Sequence, residues 1–152
     1  MTARFIVYEV PKGKARARIS TNAKGYAHGY TPKTTVAFEK AIAWAYRISK
    51  QGLFPKDVPL KLTATYYMPI PKSASKKLKT SMDGWWHTKK PDTSNITKSV
   101  EDALNELAYA DDSQIAWLDC KKVYGEPPRL EVEFTELTER WNENATDRSV
   151  AE

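Results

Sequence analysis

Three aspartates frame a helical segment in the second half of the sequence, and carboxylates in this arrangement can bind a metal ion. Asp92 precedes the segment, whereas Asp111 and Asp112 follow it and begin the next strand. If the fold brings the two ends together, the carboxylates repel one another unless a metal ion or a proton lies between them. Two ordinary alternatives remain, with Asp92 as a helix N-cap and residues 111–113 as a turn.

A lysine lies on the helical segment between these acids. Lys98 shares a helix face with Asn95 and Asp102, because the spacings are three and four residues. A lysine in this position could stabilise phosphate charge beside a bound metal ion. Its alternative role is an ion pair with Asp102, one helical turn further on.

Hydrophobic periodicity predicts the elements that must position these residues. It indicates strands at residues 4–10, 60–68, 115–125 and 129–137 and helices at about residues 32–51 and 93–108. Thr31 is the predicted N-cap of the first helix and Gly52 its end. The acids can meet only if the strand that follows the second helix lies beside a strand that precedes that helix. The turn at residues 127–128 predicts that the last two strands form a hairpin.

A basic segment near the N-terminus alternates in charge. Within residues 11–20, the cations occupy every second position: Lys12, Lys14, Arg16 and Arg18. In a strand they would share one face, where their mutual repulsion is relieved by a phosphate backbone. This pattern favours DNA binding. The alternative is a solvated edge strand whose charges prevent aggregation.

A second basic segment combines lysines with tryptophans. In residues 71–90, Lys76 and Lys77 lie on a short helical stretch, and Trp85 and Trp86 precede Lys89 and Lys90. Exposed aromatic rings beside lysines can stack on unpaired bases. The alternative, which we favour, is that the two tryptophans cover the core beneath a long loop.

Composition narrows the class of protein. The 152 residues carry a net charge of +5, with 18 Lys/Arg against four Asp/Glu in residues 1–90 and six against 15 in residues 91–152. Such asymmetry suits a nuclease, although two oppositely charged faces that pack together would also produce it. One cysteine and two histidines argue against disulfides and structural zinc. No apolar run is long enough for a bilayer, so we expect a cytoplasmic protein.

The segment HTKKPDTSNITKSVEDALNELAYADDSQI, residues 87–115, resembles the signature of RusA-type Holliday-junction resolvases, endodeoxyribonucleases common in bacteria and their prophages. That signature has a PDxDN motif, a lysine three residues after the asparagine, DAL on the helix and DD before the next strand. The N-terminal PKGKARARIS segment is similar to the basic segment near the start of phage members. The resemblance covers most of residues 10–137.

The resemblance implies a small α/β (α+β) fold, with a mixed sheet, two main helices packed on it, and a homodimer. It also implies Mg²⁺-dependent cleavage of four-way DNA junctions in recombination and repair. By this resemblance Asp92, Lys98 and Asp112 are catalytic, and Asp92, Asp111 and Asp112 bind the metal. Ser94 replaces the second acid of the motif, so Ser94 would bind a metal-bound water or cap the helix, and Asp111 would supply the missing carboxylate.

These expectations leave two competing functions. A protein with a decayed metal site at Ser94 would bind branched DNA without cutting it, and a structural or assembly protein would have no nucleic-acid role. The predicted DNA-binding residues lie in the two basic segments: Lys12, Lys14, Arg16, Arg18, Lys76, Lys77, Lys89 and Lys90. We expect one domain over residues 1–137 and a flexible tail over residues 138–152.

Overall fold

The computed structural model describes residues 1–15, 18–30 and 32–143. Its strands are β1 (Thr2–Val7), β2 (Arg18–Thr21), β3 (Ala27–Tyr30), β4 (Leu60–Met68), β5 (Ile115–Tyr124) and β6 (Arg129–Glu136). Its helices are α1 (Lys33–Ile48), α2 (Lys76–Met82) and α3 (Thr93–Leu104), followed by a short 3₁₀ turn at Asp112–Gln114. Over the described ranges, no helix has the length and apolar character needed to cross a membrane.

A mixed four-stranded sheet forms the centre of the fold. Its strand order is β1-β6-β4-β5, in which β4 and β5 are parallel and the other pairs are antiparallel. Strands β2 and β3 form a separate antiparallel pair. Helices α1 and α3 pack together and contact β1 and β5, respectively. The predicted mixed sheet with two main helices is therefore confirmed, and β4, α3 and β5 form the strand–helix–strand unit that the acids require.

The predicted hairpin between the last two strands was wrong. Strand β6 pairs with β4 and β1, so β4 lies between β5 and β6. The connection crosses close over the end of β4, where the Gly125 N–H donates to the Met68 carbonyl at 3.0 Å. A Cβ on Gly125 would collide with the Tyr67 ring. Local turn chemistry predicted a hairpin, but the fully alternating burial of β4 suits it to the centre of the sheet.

The core follows the predicted periodicity with small shifts at the element ends. Ile96, Val100 and Leu104 of α3 are fully buried against the sheet. Helix α1 ends at Ile48, earlier than the predicted end, and the Ile48 side chain is exposed. Thr31, the predicted N-cap, lies outside the described residues, and Pro32 occupies the N-cap position of α1.

The N-terminal basic segment does not form the predicted continuous strand. Residues 11–15 are not in a strand, so Lys12 and Lys14 do not share a strand face. The segment instead packs on α3. The Lys14 N–H donates to the Asn95 carbonyl at 3.2 Å, and a Cβ on Gly13 would lie 2.5 Å from the Asn95 amide nitrogen. Arg16 and the side chain of Arg18 lie outside the described residues, as do residues 144–152 of the predicted tail.

Candidate active site

Helix α3 begins at a turn that leaves its first acid facing solvent. Asp92 occupies the N-cap position and its backbone carbonyl accepts the N–H groups of Asn95 and Ile96, both at 3.1 Å. Its side chain is exposed and makes no capping hydrogen bond. Ser94 is also exposed and does not occupy the N-cap position. The helix therefore starts from backbone contacts, and the Asp92 carboxylate is not used to cap it.

Lys98 lies at the centre of an ionic network on α3. Its ammonium is 3.2 Å from Asp102 Oδ1 and 3.8 Å from Asp112 Oδ2. The hydrogen bond to Asp102 raises the pKa of Lys98, so the side chain remains cationic at neutral pH. Tertiary structure thus places the lysine and the later acid of the motif together. It also confirms the predicted pair between Lys98 and Asp102.

Asp102 links this network to the N-terminal segment. Lys14 Nζ lies 2.7 Å from Asp102 Oδ2 and 2.7 Å from Glu39 Oε1 of α1. Burial would raise the pKa of Asp102, but its ion pairs with Lys14 and Lys98 outweigh burial and hold that pKa below its ordinary value. Lys14, which the alternation pattern assigned to DNA, is therefore engaged by two carboxylates of its own chain.

The two adjacent aspartates after α3 differ in what they contact. The Asp111 carboxylate accepts hydrogen bonds from the backbone and hydroxyl of Ser113, and these lower its pKa. With Gln114, Asp111 forms a capping box on the 3₁₀ turn. The Asp112 N–H donates to Asn105 Oδ1 at 3.1 Å, while its carboxylate points toward Lys98. Asp112 therefore faces the network, and Asp111 closes its own turn.

Glu101 is a site residue that sequence reasoning missed. Burial and then the charge of Asp112 raise its pKa. Glu101 lines an open groove of about 290 Å³ with Ser94 and Lys98 of α3. Leu118 and Cys120 of β5 form the opposite side of this groove. The signal was present in the sequence, because Glu101 follows Lys98 by three residues and so lies on the same helix face.

The first acid of the motif does not join the others. A helix of 12 residues is roughly 18 Å long, so Asp92 and the Asp112 turn lie at opposite ends of α3. Asp92 instead lines a second groove, of about 430 Å³, with Lys14, Lys90 and Asn95. Among the residues described, no three His, Cys, Asp or Glu side chains are grouped as a metal site. The chain therefore offers oxygen ligands at two separate places.

Exposed aromatic and basic side chains lie on α2 and on the segment between α2 and α3. Trp85 and Trp86 are 64% and 57% exposed, so the interpretation that they cover the core was wrong. Backbone contacts explain this, because residues 84–87 pair with β5 through a Trp86–Val123 bridge and leave both rings directed away from the core. Four lysines nearby in the sequence are also exposed: Lys76, Lys77, Lys89 and Lys90. We call these six residues the basic–aromatic surface.

Comparison with known proteins agrees with this motif. Residues 9–135 match the family model described as "Endodeoxyribonuclease RusA". A protein of Lactococcus phage r1t, "Crossover junction endodeoxyribonuclease rusA", is 42% identical over 86 residues, which are 55% of this chain and 60% of the phage protein. The protein YqaN of Bacillus subtilis (strain 168) is 35% identical over 142 residues, covering 89% of this chain and 96% of that protein.

The fold and motif therefore define a small α+β protein of a nuclease family. The chain belongs to the endodeoxyribonuclease RusA family, whose model matches it from residue 9 to residue 135. The resemblance first drawn from residues 87–115 is thereby confirmed. The alignment with the phage resolvase spans 60% of that protein's length.

Proposed function

We propose that this protein is a homodimeric, Mg²⁺-dependent endodeoxyribonuclease that cleaves four-way DNA junctions during recombination and repair. The observation that carries the proposal is the contact of Lys98 with Asp112 across the strand–helix–strand unit, at 3.8 Å. Lys98 is the lysine of the family motif and Asp112 is its later acid. Their contact would allow one phosphodiester group to reach both side chains. The phage relative of 42% identity is named as a crossover junction endodeoxyribonuclease, which supports this substrate.

Mg²⁺ is the metal that the available ligands fit best. It prefers carboxylate oxygens and binds through one or two of them, together with waters and substrate phosphates. Asp112 contacts Lys98, and Glu101 lines the same groove as Lys98, so both can offer carboxylates there, whereas Asp92 offers one at the start of α3. When bound, Mg²⁺ supplies a more acidic water and neutralises phosphate charge. Asp111 is a weaker proposed ligand than Asp112, because its carboxylate also closes the 3₁₀ turn.

The side chains of this chain would perform the remaining tasks. Lys98 holds a fixed positive charge beside the groove, and a preorganised cation stabilises charge as it develops on the phosphate. Asp102 fixes the direction of that lysine through the contact at 3.2 Å. Ser94 and Asn95 are exposed near the first acid and can donate hydrogen bonds to a phosphate or a water.

The basic–aromatic surface is the proposed contact with DNA. Its lysines can neutralise phosphates, and its tryptophan rings can stack on bases that are unpaired at the centre of a junction. Lys12 is exposed and belongs to the same proposal, as do Arg16 and Arg18 on sequence grounds. A four-way junction has approximate two-fold symmetry, so a dimer with two identical sites can cut two of its strands.

The decisive experiment compares three synthetic substrates. A four-way junction, a flap and a linear duplex are incubated with the protein, with and without Mg²⁺, and the products are mapped on denaturing gels. We expect paired, Mg²⁺-dependent cuts in the junction and little cutting of the duplex. Sedimentation in the absence of DNA should give the mass of a dimer. Intact junctions at all Mg²⁺ concentrations would refute the nuclease function.

A salt titration tests the DNA-binding surface separately. Neutralising Lys76, Lys77, Lys89 and Lys90 should lower the slope of log affinity against log salt by about one for each phosphate that is no longer neutralised. Trp86→Ala should weaken junction binding by about 1–3 kcal/mol for each stacked base. Trp44→Ala, an exposed tryptophan on α1, is the control and should leave binding unchanged. An unchanged slope in the four-lysine variant would place the DNA elsewhere.

A second candidate function is binding of branched DNA without cleavage. Two observations favour it, the serine at position 94 and the separation of Asp92 from Asp112 along α3. Such a protein would bind junctions with the same salt dependence but leave them intact in Mg²⁺. Ser94→Asp restores the acid of the motif. If this variant cleaves junctions and the wild-type protein does not, the metal site of the wild-type protein has decayed at position 94.

A further inference from the structure

Lys122 is a buried cation that the proposed chemistry does not use. It lies on β5 and is only 9% exposed. None of the ion pairs in residues 1–15, 18–30 and 32–143 includes it. Burying an ammonium without a carboxylate partner is costly unless its donors are satisfied. The contacts that satisfy Lys122 therefore indicate what this residue is for.

The Lys122 ammonium binds two backbone carbonyls of the turn before α3. It donates to the Lys89 carbonyl and, at 2.6 Å, to the Pro91 carbonyl. These carbonyls lie on either side of Lys90, and Asp92 follows immediately. One side chain therefore holds the chain at two points just before the acid of the motif.

The same part of β5 holds the segment further upstream. The His87 N–H donates to the Lys122 carbonyl at 3.1 Å, and the Tyr124 N–H donates to the Trp85 carbonyl at 2.8 Å. Burial and the charge of Lys122 lower the pKa of His87. Residues 84–91 are thus attached to one short stretch of a strand.

Strand β5 connects this turn with the other end of the site. Because side chains alternate along a strand, Leu118, Cys120 and Lys122 share the face toward α3, and the first two line its groove. The strand begins directly after the 3₁₀ turn that carries Asp112. It therefore fixes the spacing between the turn of Asp112 and the turn of Asp92.

We propose that Lys122 is a positioning residue, which holds the Lys89–Pro91 turn by two carbonyl hydrogen bonds and so sets the place and direction of Asp92. This inference rests on the proposed nuclease function for its catalytic consequence. Its structural part, the anchored turn, is independent of that function. Asp92 has no capping hydrogen bond of its own, so the turn before it must supply the order.

The test substitutes Lys122 and its neighbour. Lys122→Met keeps length and apolar volume but removes the donors, and Lys122→Arg restores donors. Lys121→Met is the matched control, because Lys121 is the adjacent lysine of β5, on the opposite face and exposed. Amide hydrogen exchange by mass spectrometry, without DNA or metal, is measured for peptides covering residues 84–95 and for peptides of β1 and β6.

The expected result is a local effect. Lys122→Met should speed exchange in residues 88–95 about tenfold or more and leave β1 and β6 unchanged. Junction cleavage, measured with the junction saturated by protein, should fall roughly 10- to 100-fold, as for loss of a residue that orients a ligand. Lys122→Arg should recover most of the rate, and Lys121→Met should match wild type.

Three outcomes would overturn the proposal: unchanged exchange in residues 88–95, faster exchange throughout the sheet, or faster local exchange with an unaltered cleavage rate. The second would mean that Lys122 serves general stability. If the wild-type protein leaves junctions intact, the proposed function fails, while the exchange data still decide whether Lys122 anchors the turn.

Discussion

The two ends of α3 carry acids of one motif but are held in different ways. At the start of the helix, Asp92 depends on backbone contacts and on a buried lysine that binds carbonyl groups. At the far end, Asp112 faces a chain of alternating charges that runs through Lys98, Asp102 and Lys14. The first end uses hydrogen bonds to backbone carbonyls, whereas the second is made of ion pairs between side chains, which salt screens. Changes in charge should therefore disturb the Lys98 end selectively.

The largest expected effect comes from removing either acid. Asp92→Asn and Asp112→Asn should each lower the junction cleavage rate roughly 100- to 1000-fold, the range for loss of one electrostatic stabiliser. Junction binding should persist, because neither change touches the basic–aromatic surface. The control is Asp119→Asn, which removes an acid of β5 and should leave the cleavage rate unchanged. If only one of the two variants loses activity, the chemistry belongs to that end of the helix.

A smaller loss of cleavage is expected from breaking the ion pairs of Asp102 with Lys98 and Lys14. Asp102→Asn should reduce the free energy of unfolding by about 1–2 kcal/mol, between the values for surface and buried ion pairs. It should also slow cleavage, because a carboxylate no longer holds the Lys98 ammonium at 3.2 Å. Turn-anchoring by Lys122 should be unaffected, so hydrogen exchange in residues 88–95 should stay as in wild type.

The stability cost of Asp102→Asn should depend on pH in a defined direction. The pKa of Asp102 in the folded protein lies below its ordinary value of 3.8. Its contribution is therefore complete above that ordinary value and disappears as the pH falls through the lower folded-state pKa. Urea unfolding at about pH 7 and about pH 3 should show a deficit that shrinks in acid. A deficit that grew in acid would contradict the ion-pair network.

The next largest effect is expected from a change in the 3₁₀ turn that carries Asp112. Gln114 donates to the Pro55 and Val58 carbonyls and accepts from the Ala110 and Asp111 N–H groups. Gln114→Ala should cost about 1–2 kcal/mol of stability, because these partners lose their hydrogen bonds. Gln51→Ala, whose side chain makes one long hydrogen bond of 3.4 Å, should cost much less in the same denaturation experiment.

The smallest effect is expected at Asp111. Its carboxylate is directed toward Ser113, so Asp111→Asn should change the Mg²⁺ requirement of cleavage only slightly. Ser94→Asp should lower that requirement, since an added carboxylate attracts Mg²⁺. A Mg²⁺ titration of wild type and both variants distinguishes the cases. A loss of cleavage in Asp111→Asn as large as in Asp112→Asn would show that Asp111 replaces the missing acid.

Local patterns predicted much of the fold because they depend on periods that a sequence displays. The alternation of residues 60–68 gave β4 with its observed bounds, and the stripe of Ile96, Val100 and Leu104 gave the buried face of α3. The spacing of Lys98 and Asp102 likewise predicted their ion pair. Each of these features joins residues within a few positions of one another.

Sequence alone determined the family motif, the acids, the lysine and most of the elements that carry them. Only tertiary structure decided that β4 separates β5 from β6, that Lys14 binds carboxylates on two helices, and that Lys122 holds the turn before Asp92. The alternating pattern of basic residues does not distinguish a lysine that contacts a phosphate from one that pairs with a carboxylate of its own chain. The physical reason is that a charged side chain pairs with whichever opposite charge or carbonyl group the fold brings close, and a strand edge pairs with whichever strand the fold brings beside it. In each of these cases the partner lies far away in the sequence.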